Sequence, residues 1–410
     1  MREFKKDEES FGVSDSIYRS RDGEGGALSG LRVLDLTVAR AGPTCVRQLS
    51  DMGAEVIRVS PPDGGFELGY SDSHNLHRGK RSVLIDLKKE DGRKVFLKLA
   101  EAADVLVENF RPAVKERLGI AYPEIALLNP RIIYASLSGF GQSGPYRDRS
   151  GVDQVIQGMS GLMGVTGRPD QEPLRTGIAI SDSTAGTFLA QGILAALYVR
   201  ERTGRGQWIH TSLLESMINF MDFQAIRWLV DGEVPKQAGN DHPTLFPMGT
   251  FATQDGFINL AVTTDWVAFV EVLGTPELLS DSRFTDSRSR SLNREPLRQK
   301  IETVLRKRST TDWLRAFEKA DVICGPILAV DEAFDDPQVN HLNLTREVTH
   351  VEAGEMSLLR HPVTFEASPT GISGPSPVPG ADTRDVLIEC GFDLTQIDDL
   401  IKQGVVRTES

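Results

Sequence analysis

Between residues 32 and 137, short apolar runs alternate with helix-patterned segments, and this alternation limits the fold more than any other feature. Arg32-Val33-Leu34-Asp35-Leu36 reads as a strand. A loop through Ala41-Gly42-Pro43 opens a helix running to about Met52, and Glu55 to Val59 is the next strand. The order repeats with a strand over Ser82 to Leu87 and a helix over Glu90 to Ala102 whose apolar residues are Val95, Leu97, Leu99 and Ala100. A strand at Asp104 to Glu108, a short helix at Pro112 to Leu118 and a strand at Ile132 to Leu137 continue it. Helices are expected at Asp153 to Met163 and Ser183 to Arg202. Strands joined through helices pair in parallel, and strands apolar along their whole length are covered on both faces. The pattern predicts an α/β fold with a Rossmann-like doubly wound large domain, which takes ligands at the carboxyl ends of its strands.

The texture changes near residue 225. Gly239 to Gly249 reads as a polar loop, Phe257 to Val262 as a strand, and Trp266 to Leu273, Glu295 to Lys307 and Thr311 to Lys319 as helices. Near the end, Pro375, Pro377 and Pro379 punctuate the chain before helices at Thr383 to Cys390 and Thr395 to Lys402. The expected organisation is a flexible tail over 1–29, a large α/β domain over 30–224 and a smaller α+β domain over 225–340. A C-terminal segment over 341–410 returns to the large domain.

The 410 residues carry a net charge of −12, which disfavours nucleic acid as a partner. A local basic pocket for a phosphorylated small molecule remains compatible with that charge. Three cysteines, Cys45, Cys324 and Cys390, are widely spaced, so neither disulfides nor a zinc site is expected and a cytoplasmic location fits. The charged N-terminus lacks the apolar core of a signal peptide. The apolar stretch around Gly192 to Val199 is too short to span a bilayer, so no membrane association is expected.

Familiar nucleotide and hydrolase motifs are missing. The first βα turn, Val38-Ala39-Arg40-Ala41-Gly42-Pro43, is not GxGxxG, and Gly141-Gln142-Ser143-Gly144 is one residue short of a nucleophile elbow. No histidine spacing suggests a metal. One segment stands out, Arg175-Thr176-Gly177-Ile178-Ala179-Ile180-Ser181-Asp182-Ser183-Thr184-Ala185-Gly186. Its single carboxylate, Asp182, is placed to be the N-cap of the following helix, where backbone N–H groups and the helix dipole keep a carboxylate ionised. Small residues around it leave room for a substrate, and a purely structural N-cap is the plainer reading of the local pattern. Asn109-Phe110-Arg111-Pro112 puts an amide and a cation at a strand end, with Arg117 shortly after. By itself this cluster reads more readily as a solvated basic face.

Together these segments resemble the class III CoA-transferase family, which includes formyl-CoA transferase and carnitine CoA-transferase. The resemblance runs from Gly30 to Val406. It rests on Gly30-Leu31-Arg32-Val33-Leu34-Asp35-Leu36-Thr37, Leu49-Ser50-Asp51-Met52-Gly53-Ala54-Glu55-Val56-Ile57 and Gly79-Lys80-Arg81-Ser82. It continues through Val105-Leu106-Val107-Glu108-Asn109-Phe110-Arg111-Pro112, Ser136-Leu137-Ser138-Gly139-Phe140-Gly141, Arg202-Thr203-Gly204-Arg205-Gly206-Gln207 and Cys324-Gly325-Pro326-Ile327. What it implies is transfer of CoA from an acyl-CoA to a carboxylic acid, with Asp182 as nucleophile and coenzyme A as substrate rather than as a tightly bound cofactor. The resemblance places the CoA site at Arg40, Ala41, Lys88, Asn109, Phe110, Arg111 and Arg117, and lines the active site with Asp153 and with Asn240 and His242 of the polar loop. It also implies the family's fold and an interlocked homodimer. Arg40 stands where formyl-CoA transferase has glutamine, Pro61 where it has an adenine-side arginine, and Gly239-Asn240-Asp241-His242-Pro243 lacks its glycine run. These departures weaken formate and oxalate as expected substrates, and the expected acceptor is a small polar acid, a dicarboxylate for instance. An α-methylacyl-CoA racemase-type isomerase is the nearest rival, but Val152 replaces its histidine and cannot carry a proton. A non-catalytic CoA-binding protein is the other alternative.

Overall fold

The computed structural model describes residues 26–65, 69–262 and 264–409. The expected tail falls outside them as far as residue 25. Residues 26–29 form a turn against the chain, with the Leu28 N–H donating to the Met52 carbonyl at 2.9 Å.

The first half alternates as the apolar pattern requires. It runs β1 (Arg32–Leu36), α1 (Ala41–Asp51), β2 (Glu55–Ser60), α2 (Tyr70–His77), β3 (Arg81–Ile85), α3 (Glu90–Glu101) and β4 (Val105–Glu108). It continues with α4 (Pro112–Leu118), α5 (Tyr122–Leu128), β5 (Ile133–Ser138), α6 (Asp153–Met159), α7 (Leu162–Val165), α8 (Ile180–Thr203) and β6 (Gln207–Ser212). The single helix expected over Asp153 to Met163 breaks in two at Gly161, whose φ of 90° no helix accommodates. After α9 (Leu213–Phe220) and α10 (Phe223–Asp231) come β7 (Met248–Ala252), β8 (Phe257–Ala261) and β9 (Cys324–Pro326). The chain closes with the hairpin β10 (Thr345–His350) and β11 (Gly354–Leu359), and with β12 (Val406–Arg407).

Two compact units result. One takes the described residues up to 156, then 180–217 and 344 onward; the other takes 157–179 and 218–343. The boundary near 225 thus lies a few residues earlier, and 157–179, expected in the large domain, packs with the second unit.

The first unit is built on a seven-stranded sheet of order β12-β3-β2-β1-β4-β5-β6, parallel except for β12. The chain runs outward from β1 to β3, then returns to lay β4 against the other side of β1. Strand order reverses there, and in open α/β sheets the carboxyl ends of the strands at such a point are where ligands bind. Leu34, Ile57, Val83, Phe96, Leu99, Leu106 and Tyr134 form a fully buried core on one face, joined by Val386, Leu387 and Ile397 from the C-terminal helices. The second unit pairs β7, β8 and β9 antiparallel and covers them with its own core, including Phe246, Phe251, Phe269, Leu297 and Phe317.

A buried ion pair shapes the exit from β1. Asp35 and Lys80 are fully buried, 2.7 Å apart. The other carboxylate oxygen of Asp35 accepts from the Thr37 N–H at 2.9 Å and hydroxyl at 2.6 Å, which bends the chain out of the strand. Beside Lys80, the His77 ring lies 3.2 Å away. Burial first, then the lysine charge, hold that imidazole far below its usual range, so it stays neutral. Replacing one partner would strand a buried charge. Lys80→Met is expected to cost about 3–5 kcal/mol, seen as a lower thermal midpoint by circular dichroism, and Asp35→Asn added to it should recover part of the loss.

Candidate active site

The first turn of α8 carries Asp182, and a side chain from elsewhere decides where that turn begins. Asp153, buried at the start of α6, accepts from the Ser181 N–H at 3.0 Å and from its hydroxyl at 2.7 Å. A free N–H of the first turn is thereby satisfied, and the helix starts at Ile180. Asp182 is therefore the third helical residue and not the N-cap that local pattern suggested. The carboxylate receives no hydrogen bond from the described residues. The backbone donors expected to stabilise its charge are therefore not what sets its acidity. Burial, and then the neighbouring Asp153 charge, push its carboxyl up to about 6, against a smaller downward pull from Arg40.

Arg40 reaches this corner because α1 lies very close to α8. Gly186, one turn beyond Asp182, permits the approach: a Cβ there would stand 2.6 Å from the Ala41 carbonyl oxygen and 2.9 Å from the Thr44 side chain. Ala41 is correspondingly buried. Arg40 immediately precedes α1, after Ala39 in the left-handed region at φ 61°. Its guanidinium donates to Asp72 of α2. From below, the turn is fixed by Thr37 on Asp35. From the side, Asn109 accepts from the Val38 N–H at 2.9 Å and donates to the Val38 carbonyl at 2.8 Å.

Asn109, singled out as a ligand amide, thus spends both ends of its side chain on joining the β1 and β4 loops. Phe110 packs against the core, and Arg111 donates to Ser150. Beneath this loop Lys115 is buried with its ammonium 2.6 Å from Glu108, 2.7 Å from the Gln142 side-chain oxygen and 3.0 Å from the Ser136 hydroxyl. The other oxygen of Glu108 accepts from the Phe110 N–H at 2.8 Å, so this cluster sets the shape of the 109–111 loop. Lys88 and Arg117 meet in a cavity of about 380 Å³ that also exposes Lys89 and Arg93, with Glu90 and Glu116 as its acids. In the second unit, Asn240 and His242 line a separate cavity of about 510 Å³ with Asn259 and Cys324. The Nδ1 of His242 accepts from the Leu245 N–H at 3.1 Å and the Thr244 N–H at 3.3 Å. The ring proton therefore sits on Nε2. Burial and the Arg294 and Arg227 charges lower its basicity further.

The sequence reading missed Asp72, Ser181, Lys115 and Gln142. Ser181 adjoins a residue already singled out, but nothing in the pattern joins it to Asp153. Asp72 lies in Tyr70–His77, where only Leu76 and His77 are buried, so no apolar period announces a helix.

The family model for CoA-transferase family III matches residues 28–383. The chain belongs to CoA-transferase family III. An acetyl-CoA:oxalate CoA-transferase of Acetobacter aceti is 38% identical, covering 88% of this chain and 93% of the relative. A succinate–glutarate CoA-transferase of Agrobacterium fabrum is 36% identical, covering 88% and 95%. The crystal structure of a CAIB/BAIF family protein from Brucella suis superposes with a TM-score of 0.80 at 33% identity, covering 89% of this chain and all of the other. This family III chain is thus an enzyme that moves CoA from an acyl-CoA to a carboxylic acid, on a mixed α/β fold with a large, mostly parallel sheet.

Side-chain volume at Gly186 is expected to be felt at the site. Gly186→Ala should lower the thermal midpoint by the equivalent of about 1–3 kcal/mol of overpacking. It should also reduce kcat more than it raises KM, because it lifts the Arg40 turn away from Asp182. Denaturation and steady-state kinetics on the same preparation check both.

Proposed function

We propose that Asp182 is the nucleophile of the transfer. The observation that carries this reading is a partly buried carboxylate without hydrogen-bond donors, walled by the small residues Ala185 and Gly186, whose acidity is shifted to about 6. A carboxylate so placed is mostly ionised at neutral pH and more nucleophilic than a solvated one. It attacks the thioester carbonyl of the acyl-CoA. A C–O bond forms, the C–S bond breaks, and CoA leaves as thiolate, so one negative charge passes from carboxylate to sulfur. The thiolate then attacks the aspartyl carbonyl of the mixed anhydride, giving an aspartyl-CoA thioester and releasing the donor acid. The acceptor carboxylate attacks that thioester, and CoA returns to the newly activated acyl group.

The cationic cavity at Lys88 and Arg117 is the proposed seat of the CoA phosphates, at the sheet face where strand ends open. Ala41 and the Asn109–Arg111 loop are assigned to the same substrate, with Asn109 shaping the loop through Val38. The acceptor is proposed to be a small dicarboxylic acid. Arg40 presents a planar fork suited to a carboxylate, and the Acetobacter and Agrobacterium relatives are named for oxalate and for succinate and glutarate. Asn240 and His242 are assigned to polar contacts in the cavity they line, with the His242 Nε2–H as donor. Among the described residues no helix is long and apolar enough to cross a membrane. A cytoplasmic homodimer without a tightly bound cofactor, the interlocked assembly implied by the resemblance, completes the proposal.

Asp182→Asn is expected to abolish transfer, and the intact mass of the unmodified enzyme after mixing with acyl-CoA should show an adduct that the variant lacks. Turnover by a folded Asp182→Asn protein would defeat the mechanism. The same substitution should raise stability. A carboxyl whose folded pKa lies above its unfolded value loses stability as pH rises through that interval, so the charge is a burden above pH 6. Removing it should add about 1–3 kcal/mol at pH 7.5, read as a higher thermal midpoint, with no gain at pH 4.

The acid limb of kcat/KM should fall near pH 6, where Asp182 protonates. Asp153→Asn keeps an oxygen for Ser181 but removes the charge that opposes ionisation of Asp182. Its acid limb should move to lower pH, and a limb that stays in place would count against this electrostatic coupling.

A further inference from the structure

We propose that Asp72 is a positioning residue of the transfer reaction: by holding the Arg40 guanidinium from α2, it keeps that cation from closing onto the Asp182 carboxylate. This inference rests on the reading of Asp182 as nucleophile.

The geometry brings three elements to one corner. Gly186 lets the start of α1 touch the first turns of α8, so Arg40 emerges near enough for its charge to act on Asp182. Left without a partner, a guanidinium there has one evident anion to seek, the carboxylate of Asp182, which accepts no other hydrogen bond. Such a pair would be strong in a half-buried site. It would also disable the nucleophile, because a carboxylate clamped in a fork has its lone pairs committed and cannot approach a thioester carbonyl. Asp72 offers the alternative. It takes the Nη2 end of Arg40, with the two side chains 29% and 38% exposed. At that exposure the pair is partly screened, yet it is the pairing the guanidinium adopts in the structure. It suffices to bias where the fork points, yet it yields when an incoming acid brings a carboxylate of its own.

Asp153 cannot perform this task. It raises the basicity of Asp182, but its Oδ1 is engaged with Ser181, on the helix that carries the nucleophile. Asp72 approaches from a different helix, α2, and there takes up the guanidinium. An aspartate with a short side chain suits the role, because it anchors the guanidinium close to α2.

The test is the rate at which acyl-CoA forms the covalent adduct on the full-length enzyme, followed by quenched-flow mass spectrometry. Asp72→Asn should slow adduct formation by about 10- to 100-fold, with kcat falling in step and KM for acyl-CoA changing little. Asp72→Glu should restore most of the rate. The decisive variant is the double substitution Asp72→Asn with Arg40→Gln. If Asp72 acts by restraining Arg40, removing the freed arginine should make the double variant faster than Asp72→Asn alone. A double variant as slow as, or slower than, Asp72→Asn overturns the proposal, as does a wild-type rate in Asp72→Asn. A merely structural role for Asp72 would lower the thermal midpoint and leave Asp72→Asn unrescued by the arginine change. Failure of the nucleophile reading is separate, since the unmodified enzyme would then form no adduct on Asp182.

Discussion

A Cβ on Gly186 would stand 2.6 Å from the Ala41 carbonyl oxygen, and the arrangement of the site follows from that missing atom. Two helices whose contact is set by glycine and small residues can bring backbone against backbone. Here the approach carries a whole turn with it. Ala39 adopts a left-handed conformation, and Arg40 is brought near enough to the first turn of α8 for its charge to act on Asp182.

The second constraint is charge. Burial and Asp153 raise the Asp182 carboxyl to about 6, and Arg40 offsets part of the rise. Asp153 also caps the first turn through Ser181, so one carboxylate both starts the helix and opposes the ionisation of Asp182. The pairs of Asp35 with Lys80 and of Glu108 with Lys115 hold the neighbouring loops in place.

The exits of β1 and β4 bear on where the candidate site lies. The chain passes from β1 outward to β3 and comes back as β4 beside β1. Asn109 ties the two exits through Val38. The second unit has its own antiparallel sheet and core, with a polar cavity lined by Asn240 and His242.

Much of this was legible in the residues alone, and the remainder was not for a consistent physical reason. Continuous apolar runs such as Val33-Leu34 and Val105-Leu106-Val107 read as buried parallel strands because burial on both faces demands them. The helices Pro112–Leu118 and Trp266–Leu273 occur with the expected bounds, since proline at the start of one and the apolar stripe of the other act over a single turn. Family membership was legible too, as many short segments in order. The tertiary structure alone decided what each polar side chain does. The helix holding Asp182 begins where it does because of Asp153, 28 residues away; Asn109 serves Val38 across 71 residues; and Arg40 finds Asp72 across 32, on a helix without an apolar period. Periodicity is carried by near neighbours and survives in the sequence. Caps, charges and ion pairs are settled by whichever groups the fold brings together, and that is known only once the sheet has closed.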